Sequence, residues 1–415
     1  MDFDKLELPT TGHSIRCDGD QLIVPEDPII PYIQGDGIGP DITKAMLRVV
    51  DEAVKQAYGG ARSIQWLEIF AGKAAMERYG EYLPNDTLAA IEQFIVAIKG
   101  PLATPVSGGI RSINVALRQK LNLYACVRPY QDYGAPSPVK HPEDVNFVIF
   151  RENTEDVYAG YEWPNTSPEA ARMREILEEE FAIKLGPDTG IGIKPISEHA
   201  SKNIVRAAIK YAVDHQIQTV TLMHKGNIEK FTEGAFKTWG YAVATEEFRD
   251  QVITAEELKG EYGGEMPEGK ILVNDLMADD MFEEILVRPR DFHVIVTTNL
   301  NGDYISDASA AQIGGLGIAP GANFGNIIAL FESTHGTAPD IANQDKANPS
   351  ALILSAALML EHIGWPEAAT LIKDAIRKTI HQKKVTTDFA RLMEGEVEAL
   401  TTTEYATAVI DNLGN

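Results

Sequence analysis

The chain has 415 residues, 44% of them apolar, with 61 acidic against 37 basic side chains and a formal net charge of −24. That length accommodates two or three domains with substantial cores, and so acidic a surface excludes nonspecific binding to nucleic acid or to an anionic membrane. Cys17 and Cys126 lie far apart without a paired-cysteine motif, so neither a disulfide framework nor a thiolate zinc site is expected, and a reducing cytoplasm fits best.

The opening "MDFDKLELPTTGHSIRCDGD" is polar and acidic and lacks the basic patch and apolar stretch of a secretory signal. "IIPYI" at 29–33 reads as a short buried strand, "GDGIGP" as a turn, and Ile42, Ala45, Met46, Val49, Val50, Ala53 and Val54 then recur at helical spacing. "GDGIGP" suggests dinucleotide binding, but it lacks the spacing of G-x-G-x-x-G and the acid that should follow about 20 residues on. A tight strand-to-helix turn is the plainer reading. Strand-like runs follow at "QFIVAIKGP", "VNFVIFRE", "QTVTLMHKGN" and "HVIVTTNLNGD", separated by helical patterns, which makes the chain α/β.

Between the first two of these runs, "GGIRSINVALRQKLNLYACVRP" places Arg111, Arg118 and Arg128 in an otherwise acidic chain, and Arg151 closes the next strand. Asn114 and Arg118 share one helical face, with Ser112 just ahead at a possible helix start. Exposed arginines usually form a solvated face. These stand at strand ends and helix starts among apolar residues, where planar guanidinium groups suit bidentate capture of carboxylates, so a small polycarboxylate is the implied ligand. Tyr158, after "RENTED", is a candidate acid. Residues 157–199 read as an inserted subdomain with an acidic helix and a short alternating stretch.

Lys225 follows an apolar strand directly, where it is either a solvated surface group or a proton-transfer group and substrate clamp. Residues 250–270, charged and glycine-rich, read as a surface hairpin or loop. Asp279 and Asp280 form either a solvated acid patch or part of a metal site. Asp303 and Asp307 fall four apart at the start of a helix. Asp303 could serve as an N-cap, which leaves Asp307 unexplained, whereas a hard divalent cation, Mg²⁺ or Mn²⁺, would relieve their repulsion. "STHGTAPDI" at 333–341 offers glycine and free backbone N–H groups for phosphate, yet includes the charge of Asp340. "ALILSAALML" is too short to span a membrane and reads as a buried helix.

Together "YIQGDGIGP", "IKGPLATP", "GGIRSINVALRQ", "FRENTEDVYAG", "MHKGNIEKFTEG", "NLNGDYISDASAAQIGG" and "THGTAPDIANQDKANP" resemble the prokaryotic homodimeric isocitrate dehydrogenases, over nearly the whole chain from about Ile29 onward. These belong to a wider family of metal-dependent decarboxylating dehydrogenases that also act on isopropylmalate and homoisocitrate. The resemblance implies that family's own α/β fold rather than the usual Rossmann fold. Its large domain would comprise residues 1–124 and 313–415, its small domain 125–156 and 200–312, and its clasp, through which two subunits interlock, 157–199.

It further implies that Ser112, Asn114, Arg118, Arg128 and Arg151 bind isocitrate, and that Asp303 and Asp307 hold Mg²⁺ or Mn²⁺ together with Asp279. Lys225 and Tyr158 would be catalytic, with Lys225 and Asp279 supplied by the partner subunit. Ala103, Thr104, His335, Gly336, Thr337, Ala338, Pro339, Asp340, Ile341, Asn348, Thr387 and Arg391 would contact the nicotinamide cofactor. NADP-dependent members carry lysine and tyrosine where this chain has Asp340 and Ile341, and a further phosphate-binding tyrosine is replaced by Thr387. The acid would accept ribose hydroxyls and repel a 2′-phosphate, so NAD is the expected cofactor, although Arg391 of the phosphate-binding set is present. Ser112 corresponds to a serine that a regulatory kinase phosphorylates in some relatives; a dianion there would repel the substrate. Enzymes acting on homoisocitrate, isopropylmalate or tartrate, and a nonenzymatic metal-citrate binding protein, are the competing readings.

Overall fold

The computed structural model describes residues 3–19, 21–104 and 112–414. Arg111 lies outside the described residues. The alternation of apolar strands with amphipathic helices builds an α/β molecule around a sheet of 11 strands. From one edge their order is Val252–Thr254, Ile271–Met277, Thr219–His224, Val294–Thr297, Asn146–Glu152, Ala125–Gln131, Pro320–Phe324, Ala329–Ser333, Val96–Lys99, Ile29–Ile33 and Gln65–Glu68. Both flanks pair in parallel, whereas the four central strands from Asn146–Glu152 to Ala329–Ser333 pair antiparallel. Chain segments distant in sequence therefore meet at the centre.

Helix Gly39–Tyr58 turns the face bearing Ile42, Met46, Val49, Val50 and Ala53 to the core and stops at Gly59, whose φ of 61° is left-handed. Helix Ser350–His362, which contains "ALILSAALML", is buried on nearly every side between its neighbours, so its sequence has no polar stripe. Among the described residues no helix is long and apolar enough to cross a membrane.

Residues 157–199 contribute a separate two-stranded hairpin, Tyr161–Trp163 against Ile191–Ile193, and the helix Pro168–Phe181. Tyr161, Phe181, Ile183 and Ile193 are exposed there. Two local expectations change. Segment 250–270 is not simply a surface loop: Val252–Thr254 closes the sheet edge, and Thr254 with Glu257 forms a capping box for helix Ala255–Gly260. The helix bearing the aspartate pair starts at Asn299, so Thr298 holds the N-cap position and Asp303 lies inside the helix. Its "NLNG" opening resembles a turn in sequence, but Gly302 is required by packing, since a Cβ there would lie 2.4 Å from Arg151 Cγ.

Candidate active site

Strand register assembles the basic cluster. Arg128 pairs with Ile149, two residues before Arg151 on the neighbouring antiparallel strand, so both arginines emerge on one face. Glu332 stands opposite Gly321 two strands away, and Lys99 stands opposite Glu332. Arg118 reaches the same place from helix Ile113–Lys120, donating to Glu332 Oε1 at 3.1 Å. Lys99 pairs with Glu332 Oε2, and Asn323 Nδ2 donates to Oε1 at 2.7 Å. Buried in this cationic cage, Glu332 stays ionised: the desolvation that would raise its carboxyl is outweighed by Lys99 and Arg118, and its pKa falls.

Arg118, Arg128 and Arg151 are 9%, 6% and 1% exposed. Arg151 donates through Nε to Asn299 at 2.9 Å and through Nη1 to Asp303 at 2.6 Å, and its guanidinium lies 4.8 Å from the ring centre of Tyr158. Desolvation and then the charges of Arg118 and Arg128 lower its pKa, whereas for Arg128 desolvation is outweighed with the help of neighbouring Glu332 and Asp303, and the pKa rises. Arg118 Nε and Asn114 Oδ1 are buried without a partner among the described residues. Ser112 holds the N-cap position of their helix, but its side chain makes no capping bond.

Tyr158 sits half-buried in the 3₁₀ turn Asp156–Ala159. Burial raises its pKa above the usual 10, with Asp303 adding to the rise and Arg151 opposing it, so the phenol holds its proton at neutral pH. Asp303 and Asp307 stand one helical turn apart, and the Asp307 carboxyl is pushed up by desolvation, with Asp303 adding and Arg128 opposing. The pair supplies hard oxygen donors of the kind Mg²⁺ or Mn²⁺ takes. Among the described residues no three metal-binding side chains form one group. Asp279 is elsewhere, at the start of helix Ala278–Val287, where it pairs with Lys225.

A cleft of about 450 Å³ lies beside the "HGTAP" loop. It is lined by His335, Gly336, Ala338, Ile341, Asn348, Thr387 and Arg391 of the expected cofactor residues, together with Lys346 and Asp388. Thr337 is absent from the lining; its backbone carbonyl accepts the N–H of Ile38 at 2.9 Å, and Gly37 is obligatory because a Cβ would sit 2.0 Å from that carbonyl oxygen. Asp36, 5% exposed, accepts the N–H groups of Lys73 and Ala103. "GDGIGP" thus braces the loops around the cleft and contributes Ile38 to its lining. Ala103, Thr104 and Pro339 also lie outside the lining.

Asp340 is exposed and absent from that wall, whereas Lys346 and Arg391 are part of it. Neither cation has an ion pair among the described residues; Lys346 Nζ donates to Gln344 at 3.1 Å. The sequence pattern drew attention to Asp340 but not to Lys346, Asp388, Lys99 or Glu332. The isolated charges of the last two gave no sign that register would set them opposite each other.

The isocitrate/isopropylmalate dehydrogenase family model matches residues 29–409. The NADP-dependent isocitrate dehydrogenase of Archaeoglobus fulgidus is 54% identical over 414 residues, covering 100% of this chain and 99% of that protein. The NADP-dependent enzyme of Haloferax volcanii is 52% identical over 420 residues, covering 100% and 99%. The crystal structure of isocitrate dehydrogenase from Methylococcus capsulatus superposes with a TM-score of 0.76 at 38% identity, covering 93% of this chain and 99% of that one. These relatives overturn the NAD expectation drawn from Asp340, since they are named for NADP. A physical reason is that an acid discriminates against a phosphate only where its carboxylate faces the ligand; the cleft lining includes Lys346 and Arg391 along with Asp388, but not Asp340.

Proposed function

The chain belongs to the isocitrate/isopropylmalate dehydrogenase family, and from that premise we propose that it oxidatively decarboxylates isocitrate to 2-oxoglutarate and carbon dioxide with reduction of NADP. The observation that carries the reading is the convergence of buried Arg118, Arg128 and Arg151 beside Asp303. Three guanidinium groups suit a tricarboxylate, and Asn114, whose Oδ1 has no partner among the described residues, adds hydrogen-bonding capacity with the Ser112 hydroxyl, which makes no capping bond, where an alkyl group would need apolar side chains. Arg391 and Lys346 in the cleft wall support binding of the additional phosphate of NADP.

The arginines neutralise and orient the substrate carboxylates. Lys225 accepts the hydroxyl proton, directly or through water, as hydride leaves C2 for the nicotinamide. After carbon dioxide departs, the Tyr158 phenol returns a proton to C3. Asp303 and Asp307 would hold Mg²⁺ or Mn²⁺ with Asp279 from a second subunit, and that cation supplies Lewis-acid stabilisation of the charge that develops on oxygen. The separation of the Lys225–Asp279 pair from the Asp303–Asp307 pair supports a homodimer that shares its sites. The exposed apolar residues of 157–199 support its role as the clasp through which two subunits interlock, apart from the large and small domains of the proposed division.

The test is a substrate panel with NADP and Mg²⁺. Isocitrate should give NADPH and carbon dioxide with a kcat/KM at least about a hundredfold above isopropylmalate, homoisocitrate and tartrate, as expected when buried polar groups are left unpaired by the wrong acid. A faster reaction with any of the other acids would refute the substrate assignment.

A further inference from the structure

Lys225 is held by its backbone as well as by its side chain. Its N–H donates to Glu233 Oε2 at 3.0 Å, and Asn301 Nδ2 donates to the same oxygen at 2.8 Å. Glu233 Oε1 accepts from Lys194 Nζ at 2.8 Å and from Thr298 Oγ1 at 2.9 Å. The Glu233 side chain is completely buried, and its four partners are all donors, the arrangement an ionised carboxylate satisfies and a neutral amide cannot. Lys194 is also balanced by Glu229 at 2.7 Å and Asp156 at 3.8 Å, so it does not depend on Glu233 for its countercharge.

The donors come from three places: Lys194 from the end of the 157–199 hairpin, Lys225 from the loop after strand Thr219–His224, and Thr298 with Asn301 from the start of the helix bearing Asp303 and Asp307. The loop is pressed onto the helix that Glu233 begins: a Cβ at Gly226 would come within 2.7 Å of Gly234 Cα. On its other side Gly226 N–H donates at 2.9 Å to Nδ1 of fully buried His224.

We infer that Glu233 is the positioning residue that fixes Lys225 for proton transfer and sets it in register with the helix carrying Asp303 and Asp307. This rests on the proposed role of Lys225.

The experiment compares Glu233→Gln, Lys225→Met and Glu233→Gln/Lys194→Met in the intact enzyme with NADP and Mg²⁺. It follows isocitrate oxidation and, separately, decarboxylation of the β-keto acid supplied directly. Glu233→Gln should lower kcat for oxidation by about tenfold to a hundredfold, the usual effect of misplacing a catalytic group by about an ångström. KM for isocitrate and keto acid decarboxylation should stay within about twofold. An unchanged kcat in Glu233→Gln while Lys225→Met is inactive would overturn the inference alone. Full oxidation by Lys225→Met would overturn the role of Lys225 and the inference with it. Parallel loss of both reactions in Glu233→Gln, or recovery of kcat in the double variant, would reduce Glu233 to a structural or charge-balancing group and also overturn it.

Discussion

A buried guanidinium nitrogen without an acceptor costs about 1–3 kcal/mol, and among the described residues Arg118 retains such an Nε beside two further buried arginines. A protein retains that cost where a ligand removes it, so the cluster is best understood as incomplete until a polyanion binds. Sequence alone could single out these arginines because they sat among apolar residues rather than other charges. It could not identify Glu332 as the shared partner of Arg118 and Lys99, because that contact depends on strand register. Tyr158 is the residue whose role is most cleanly separable. Its raised pKa, set first by burial, suits a proton donor, so Tyr158→Phe should slow the overall reaction at least about tenfold more than it slows reduction of the β-keto acid. Stopped-flow absorbance of NADPH in the two directions measures the difference, and equal losses would remove Tyr158 from the proton-return step.

At the scale of elements, the order strand, polar strand end, helix is visible in the sequence because apolar runs alternate with helical periodicity. The start of helix Asn299–Gln312 was missed because asparagine and glycine normally signal a turn. Here Asn299 accepts from Arg151 and Gly302 makes room for its stem. The loop after Thr219–His224 similarly owes its shape to partners distant in sequence. His224 Nε2 lies 3.0 Å from Asp275, Tyr241 donates to the same carboxylate at 2.6 Å, and Gly226 fixes the tautomer by donating to Nδ1.

The bond to His224, supported by Tyr241 and opposed by burial, lowers the Asp275 pKa from 3.8 to about 2. A depressed carboxylate stabilises the fold fully above its unfolded pKa and loses that contribution as pH falls through the folded value. Asp275→Asn should therefore cost about 2 kcal/mol at pH 7. The gap from wild type, measured from denaturant midpoints, should narrow as pH falls below about 4 and close near 2. A gap that stayed constant with pH would show that the carboxylate charge is not what matters.

At the scale of the whole molecule, seven ordered motifs carried the family resemblance, and the family match over residues 29–409 agrees with it. The cofactor was misread because the sequence shows which residue follows "HGTAP" but not which side chains face the cleft. Lys346 and Arg391 reach that wall from segments flanking helices Ser350–His362 and Pro366–His381, and Asp340 does not.

Shared sites make a prediction about the assembly. Lys225→Met and Asp303→Asn should each be inactive alone, yet a heterodimer contains one site with both wild-type groups. Random mixing after dissociation should restore about a quarter of wild-type activity, because half the dimers are mixed and each has one intact site. No recovery in confirmed heterodimers would place both residues in a site built by one chain.

The most direct measurement is the initial rate of isocitrate oxidation with Mg²⁺ as NADP and NAD are varied in turn. The account predicts 2-oxoglutarate and carbon dioxide in step with NADPH, a larger kcat/KM with NADP, and a selective rise in the KM for NADP in Arg391→Ala. A larger kcat/KM with NAD, or no oxidation of isocitrate with either nucleotide, would contradict it.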